Sequence, residues 1–178
     1  AIQVGKRTRS TTQIASRAVS ISYVAVELAK KIFTNLERKA VTIIGAGEMG
    51  ELAVRSLVEN GASKVSVVNR TCERAERVAE MFDGTATIFD NNLDFLIETD
   101  IVISSTTAPH YLVQTEPFKE IMKKRNNRPI VMIDIAVPRD IDPRINDIEN
   151  AFLYNIDDLR HIISSNIEER KLDAKTGE

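Results

Sequence analysis

The stretch VTIIGAGEMG, residues 41 to 50, constrains this chain more than any other. Four β-branched residues make a short strand, three glycines make a turn, and Met49, Leu52, Ala53 and Leu57 then recur at helical spacing on one apolar face. Gly45-x-Gly47-x-x-Gly50 fits the G-x-G-x-x-G pattern, and each glycine has an expected job. Gly45 makes the tight turn, Gly47 admits a pyrophosphate to the backbone, and Gly50 lets helix and sheet pack. Ala46, Glu48 and Met49 complete the turn, and the amides opening the helix face the anion. Glu48 would repel phosphate if it faced inward, so its carboxylate is expected in solvent.

Further apolar runs follow at intervals: KVSVV (64–68), TATIF (85–89), DIVIS (100–104), IVMIDI (130–135) and AFLYNI (151–156). Helical patterns separate several of them, including one capped by Thr71, one at 92–98 and one at 116–125. Asn60-Gly61 closes the helix after the glycine turn. Continuous apolar strands alternating with amphipathic helices predict a parallel sheet covered on both faces. The expected fold is therefore a doubly wound Rossmann-type α/β domain over residues 40–156, with strand order 3-2-1-4-5-6 and a ligand crevice at the carboxyl ends of strands 1 and 4.

Outside that domain, residues 1–17 are polar without a period and read as a connector. Ser20 is expected to cap a helix of about three or four turns carrying Val24, Leu28 and Ile32, so that residues 1–39 form a connector and helix. Residues 157–178 begin another amphipathic helix, with Leu159, Ile162, Ile163, Ile167 and Leu172 on its stripe and His161 in solvent. The first residue is Ala1 and not Met, from which a piece of a longer protein is expected.

Composition excludes several classes. The longest run without a charged residue, Ile101 to Thr115, carries Pro109, His110 and several hydroxyls and is too short and polar to span a bilayer. No secretory signal opens the chain, and a soluble protein is expected. The one cysteine, Cys72, permits no internal disulfide or Cys-rich zinc site, and fits a reducing cytoplasm. Its spacing to Ala75, Val78, Ala79 and Phe82 predicts a buried thiol rather than a nucleophile. Two distant histidines, His110 and His161, argue against a His-based metal site. Residues 1–40 carry eight Lys and Arg against two Glu, but Lys6, Arg7, Arg9 and Arg17 lack interleaved aromatics, so nucleic-acid contact by this segment is not assigned.

At the end of the second strand, 19 residues after Gly50, an NAD site would offer Asp or Glu to the ribose hydroxyls; here stands Asn69-Arg70-Thr71. A guanidinium there favours the 2′-phosphate of NADPH. Ser104, Ser105, Thr106 and Thr107 end the fourth strand, where their hydroxyls could bond the nicotinamide ribose or carboxamide, or simply form a Ser/Thr turn. His110 reads as a loop-stabilising residue, and Asp134, an acid in an apolar strand, as a structural group that must find donors. No convincing place to hold and activate a substrate is visible.

Together GAGEMG, NRT, ISST, APH and DIAVPRDIDP, in that order, resemble the NADPH-binding domain of the glutamyl-tRNA reductase family, over essentially the whole chain. GKRTRSTTQIASRAVSIS looks like the connection leaving that family's catalytic domain, and DDLRHIISSNIEERK like the start of its long spinal helix. The resemblance implies NADPH-dependent reduction of glutamyl-tRNA to glutamate-1-semialdehyde, opening tetrapyrrole synthesis by the C5 route. A cysteine thiolate of a preceding domain forms a thioester, which hydride then reduces; Cys72 matches no nucleophile position, so this chain is expected to bind cofactor without turnover. The resemblance also implies a cytoplasmic enzyme that dimerises when whole. It gives Gly45 to Gly50 as the pyrophosphate turn, Asn69 to Thr71 as the adenosine-phosphate end and Ser104 to Thr106 as the nicotinamide side. Two alternatives stay open. One is a shikimate-dehydrogenase-like oxidoreductase, which would need its own substrate domain and a Lys-Asp pair; the other is a non-catalytic NADPH-sensing or partner-binding module.

Overall fold

A computed structural model describes residues 2–177 of the chain, with side-chain surroundings from residue 12 onward. Helix α1 (Ile2–Phe33) leads into β1 (Ala40–Ile44), α2 (Glu48–Glu59), β2 (Lys64–Asn69), α3 (Cys72–Met81), β3 (Thr85–Ile88), β4 (Ile101–Ser104), α4 (Thr115–Lys124), β5 (Ile130–Asp134), β6 (Ala151–Asn155) and α5 (Ile156–Thr176). The six strands form one sheet in the order β3-β2-β1-β4-β5-β6, every pair parallel. This is the expected doubly wound sheet, and the register fixes where function can sit. Val68, Ile44, Ser104, Asp134 and Asn155 pair across neighbouring strands in one row. All the loops leaving that row emerge on the same edge of the domain.

The central strands are dry on both sides: Val41, Ile43, Ile101, Val102, Ile103 and every residue from Ile130 to Ile133 are fully buried. One apolar layer packs α1, α2, α3 and α5 against the sheet through Val24, Leu28, Leu57 and Leu159, and the other packs α4 through Phe118 and Ile121. Each such side chain contributes about 1.5–3 kcal/mol by leaving water. Outermost β3 is mostly exposed, as an edge strand carrying alternating Thr residues can be.

Four local expectations need correction. The connector expected at 1–17 is helical over its described residues: α1 runs unbroken from Ile2, and Ser20 lies inside it. Ala18, Ile21, Ala25, Leu28 and Ala29 bury one continuous stripe, and Ser22 Oγ donates back to the Ala18 carbonyl at 2.7 Å, so these serines are absorbed by the helix instead of capping it. Of the basic lead residues, Lys6, Arg7 and Arg9 lie outside the residues with described side chains, and Arg17 is exposed. On α2 the buried stripe is Gly50, Ala53, Val54 and Leu57, whereas Leu52 is 40% exposed. Cys72 is exposed, not core: it is the first residue of α3, beyond the strand ends, and the helix buries Ala75, Val78 and Ala79 one turn further on. Its Sγ donates to Glu76 Oε1 at 3.0 Å, and that bond raises the thiol pKa. The helix expected at 92–98 is a single 3-10 turn, Asp94–Leu96.

Both ends of the sheet domain are fastened by polar groups. At its carboxyl end Asn155 Oδ1 accepts from the amides of Asp157 and Asp158, and Asp158 Oδ2 accepts from the Asn155 amide at 2.9 Å, a capping box that starts α5 at Ile156. At the opposite edge of the sheet Arg125, 1% exposed, donates to the carbonyls of Leu96, Ile97, Arg128 and Pro129 at 2.5–3.1 Å. Burial lowers its pKa to about 10, still well above neutrality, so it remains a cation. Arg125→Met keeps the stem but strips four carbonyls of their donor; it is expected to cost about 3 kcal/mol, or roughly 10 °C in Tm for a domain of this size, measured by thermal denaturation.

Candidate functional site

Two loops part at the centre of the row of strand ends, one leaving β1 as the glycine turn and the other leaving β4 at Ser105. The crevice between them is lined by Gly45, Asn69 and Arg70 on one side, Thr106, Thr107 and Pro109 on the other, and Phe89 at its far wall, with a volume of about 180 Å³. This is the predicted position, outside the carboxyl ends of β1 and β4.

The turn itself is shaped by its neighbour. Gly45 has φ +97°, and its amide donates to the Val68 carbonyl at 2.8 Å. A Cβ on Gly45 would lie 2.9 Å from Thr106 Cγ2, one on Gly47 would lie 3.1 Å from the Ser105 carbonyl oxygen, and one on Gly50 would lie 2.5 Å from Ser105 Oγ and 3.1 Å from Ile43 Cδ1. A side chain at any of the three positions would thus crowd the β4 loop, most tightly at Gly50 and least at Gly47. The helix that follows begins at Glu48 with Gly47 as N-cap, and no side chain caps it. Its first-turn amides are thereby left to an acceptor from outside, as an anion site demands. Glu48 is exposed, as expected, and Ala46 and Met49 are half-buried beside the turn.

At the second strand's end Asn69 is half-buried, and its Nδ2 donates weakly to Thr71 Oγ1 at 3.4 Å. Thr71 is the N-cap of α3 without a side-chain cap bond. Arg70 is exposed at the crevice rim, and among the described residues no acid pairs with it. Its charge is available to a ligand.

The hydroxyl cluster behaves differently from its expected role toward a nicotinamide. Ser104 is fully buried and donates to Asp140 Oδ2 at 2.6 Å. Thr106 gives Asp140 both its amide, at 2.9 Å, and its hydroxyl. The Ser105 hydroxyl is buried against Gly50 without a partner. These donors point into the protein, leaving Thr107 as the exposed hydroxyl of the group. Sequence reasoning missed Asp140, which is 0% exposed; the acids interrupting IVMIDIAVPRDID were its one signal.

Asp134 does have the structural role expected of it. Its carboxylate accepts from the amides of Ala136, Asp140 and Ile141 at 2.9–3.1 Å. Burial nevertheless raises its pKa to about 6, outweighing those bonds. His110 is exposed, in a shallow recess with Tyr111, Glu116 and Arg144, and His161 is exposed on α5. Among the described residues no group of acids, histidines and cysteine could hold a metal ion, and no helix is long and apolar enough to cross a membrane.

A parallel sheet in this order, a glycine turn opening a helix, and a crevice between the β1 and β4 loops define a Rossmann-type nucleotide-cofactor domain. The sequence profile of the shikimate / quinate 5-dehydrogenase family matches residues 27–162, and the chain belongs to that family. Within it the chain is 52% identical over 178 residues to the glutamyl-tRNA reductase of Geobacter sulfurreducens, covering 100% of this chain and 41% of that protein. The chain thus spans about two fifths of the length of the curated relatives it matches. The solved glutamyl-tRNA reductase of Methanopyrus kandleri superposes with a TM-score of 0.81 at 43% identity, over 98% of this chain and 44% of that one. A nucleotide binding domain of the Thermoplasma volcanium glutamyl-tRNA reductase, 14% identical, shares the fold with a TM-score of 0.65 over 85% of this chain and 96% of that chain.

The glycine turn and Ser105 are expected to behave as one unit. Gly50→Ala should destabilise the domain by an amount typical of overpacking, about 1–3 kcal/mol, and Gly50→Ala with Ser105→Ala should recover part of it, read as non-additivity in a double-mutant cycle of denaturant unfolding.

Proposed function

We propose that this chain is the NADPH-binding part of a glutamyl-tRNA reductase, which as a whole reduces glutamyl-tRNA to glutamate-1-semialdehyde for tetrapyrrole synthesis. The observation that carries the reading is identity of 52% along the entire chain to a relative so named, supported by a crevice whose lining includes Gly45, Asn69, Arg70 and Thr106. The roles follow from the geometry. The uncapped amides opening α2 would hold the diphosphate, with Gly45 to Gly50 shaping the approach and Glu48 turned to solvent. Asn69, Arg70 and Thr71 would take the adenosine end, Arg70 supplying a charge-assisted bond to the 2′-phosphate.

Ser104, Ser105 and Thr106 serve the nicotinamide side by setting the crevice wall, since their hydroxyls are turned inward. When bound, NADPH supplies hydride. The acceptor would be a thioester on a cysteine outside this chain, because the Cys72 thiol has its pKa raised by the bond to Glu76, the reverse of an activated nucleophile. Glutamyl-tRNA and a second subunit are the partners of the whole enzyme, and an exposed unpaired thiol suits the reducing cytoplasm.

Calorimetric titration of the chain with NADPH and NADH tests the cofactor pocket. NADPH is expected to bind more tightly, and Arg70→Ala to cost about 10-fold or more in NADPH affinity while leaving NADH unchanged. Equal affinities for the two cofactors would remove the Arg70 assignment.

A further inference from the structure

Asp140 lies on the segment between β5 and β6, has no cofactor assignment of its own, and is 0% exposed. Among the described residues no cation pairs with it. A buried carboxylate without a counter-ion is costly, and it persists only where hydrogen bonds satisfy it. Here they come from one place. Oδ2 accepts from Ser104 Oγ at 2.6 Å and from the Thr106 amide at 2.9 Å, and Oδ1 accepts from Thr106 Oγ1. The backbone of the same residue holds the far end of the same loop: its carbonyl accepts from the amides of Leu112 at 2.6 Å and Val113 at 3.0 Å. Its amide is in turn fixed by Asp134 Oδ2 at 3.0 Å, at the end of β5. One residue therefore anchors both ends of the β4 loop, from Ser104 to Val113.

That loop is the crevice wall, and Ser105 between two of the anchored residues is in contact distance of the Cβ directions of Gly47 and Gly50. Resting on the nucleotide-binding reading above, we propose that Asp140 is a positioning residue for cofactor binding, which through Ser104 and Thr106 seats Ser105 against the glycine turn and so sets the amides that receive the diphosphate. Asp140 does not line the crevice but bonds to Thr106 and Leu112, which do. Its effect passes through the loop.

Three variants separate this role from a simple loss of stability. Asp140→Ala deletes all three side-chain bonds. Asp140→Asn keeps an oxygen for Ser104 Oγ and the Thr106 amide and offers its NH₂ to Thr106 Oγ1. Val24→Ala, in the buried stripe of α1, is a control that lowers Tm without removing any bond of Asp140. Amide hydrogen exchange of the ligand-free chain is measured first. Asp140→Ala is expected to speed exchange about tenfold at both Ser105–Ala108 and Gly45–Gly50, Asp140→Asn far less, and Val24→Ala not selectively there. NADPH titration should follow the same order, with about tenfold weaker binding for Asp140→Ala, most of it restored in Asp140→Asn. Should Asp140→Ala fail to fold, Ser104→Ala with Thr106→Val removes the two hydroxyl bonds while keeping that of the Thr106 amide, and is expected to accelerate exchange at the same two stretches, by less. Unchanged exchange at the glycine turn, or acceleration equal to that of Val24→Ala, overturns the positioning role. Absence of any NADPH or NADH binding by the unsubstituted chain would instead overturn the cofactor reading, and the exchange result would still decide the role of Asp140.

Discussion

The contact between the glycine turn and Ser105 is the constraint on which the rest of this domain depends. Strands β1 and β4 are neighbours, so their loops must separate at once for a crevice to open between them, yet α2 must begin almost on the sheet. Missing side chains at positions 45, 47 and 50 resolve the conflict by letting the β4 loop lie where Cβ atoms would otherwise be. The same closeness leaves the start of α2 free of side-chain caps and open to an anion. Geometry required for packing is thus also the geometry of an anion site.

Behind the loop the electrostatics run the other way. Two buried carboxylates, Asp134 and Asp140, hold amides and hydroxyls of the segments around them, and among the described residues the one cation lining the crevice is Arg70, on the opposite side. The acids are sealed behind Ser104 and Thr106, so their charge is presented to donors in the protein and not to an incoming phosphate. This arrangement couples the β4 loop to the end of β5. A change in one strand end must therefore be felt at its neighbours.

Much of the fold was legible in the residues. Six apolar runs, a glycine turn after the first, and short helical patterns between them suffice for the sheet and its order, because parallel strands buried on both faces leave a continuous signal. The place of Arg70 at the crevice rim was legible from the end of the second apolar run. What escaped was set by contacts distant in sequence. Asp140 acts on residues 34 and 36 positions earlier, and nothing in the spacing of Ser104 or Thr106 says that their hydroxyls turn away from the crevice. Cys72 has the right helical phase for the core but is the first residue of α3, a turn before the buried stripe, and Ser20 looks like a cap only if the helix before it is ignored. Only the amino-terminal half of α1 escaped, because it is polar, with no period to read.

The central claim, that the turn and the β4 loop together form a dinucleotide site, is tested most directly by following backbone amides of the ¹⁵N-labelled chain as NADPH is added. The account predicts that the largest shifts fall on Gly45 to Gly50, Asn69 to Thr71 and Thr106 to Ala108, on both walls of one crevice. Largest shifts in the recess around Tyr111 and Arg144, or on one wall alone, would contradict it.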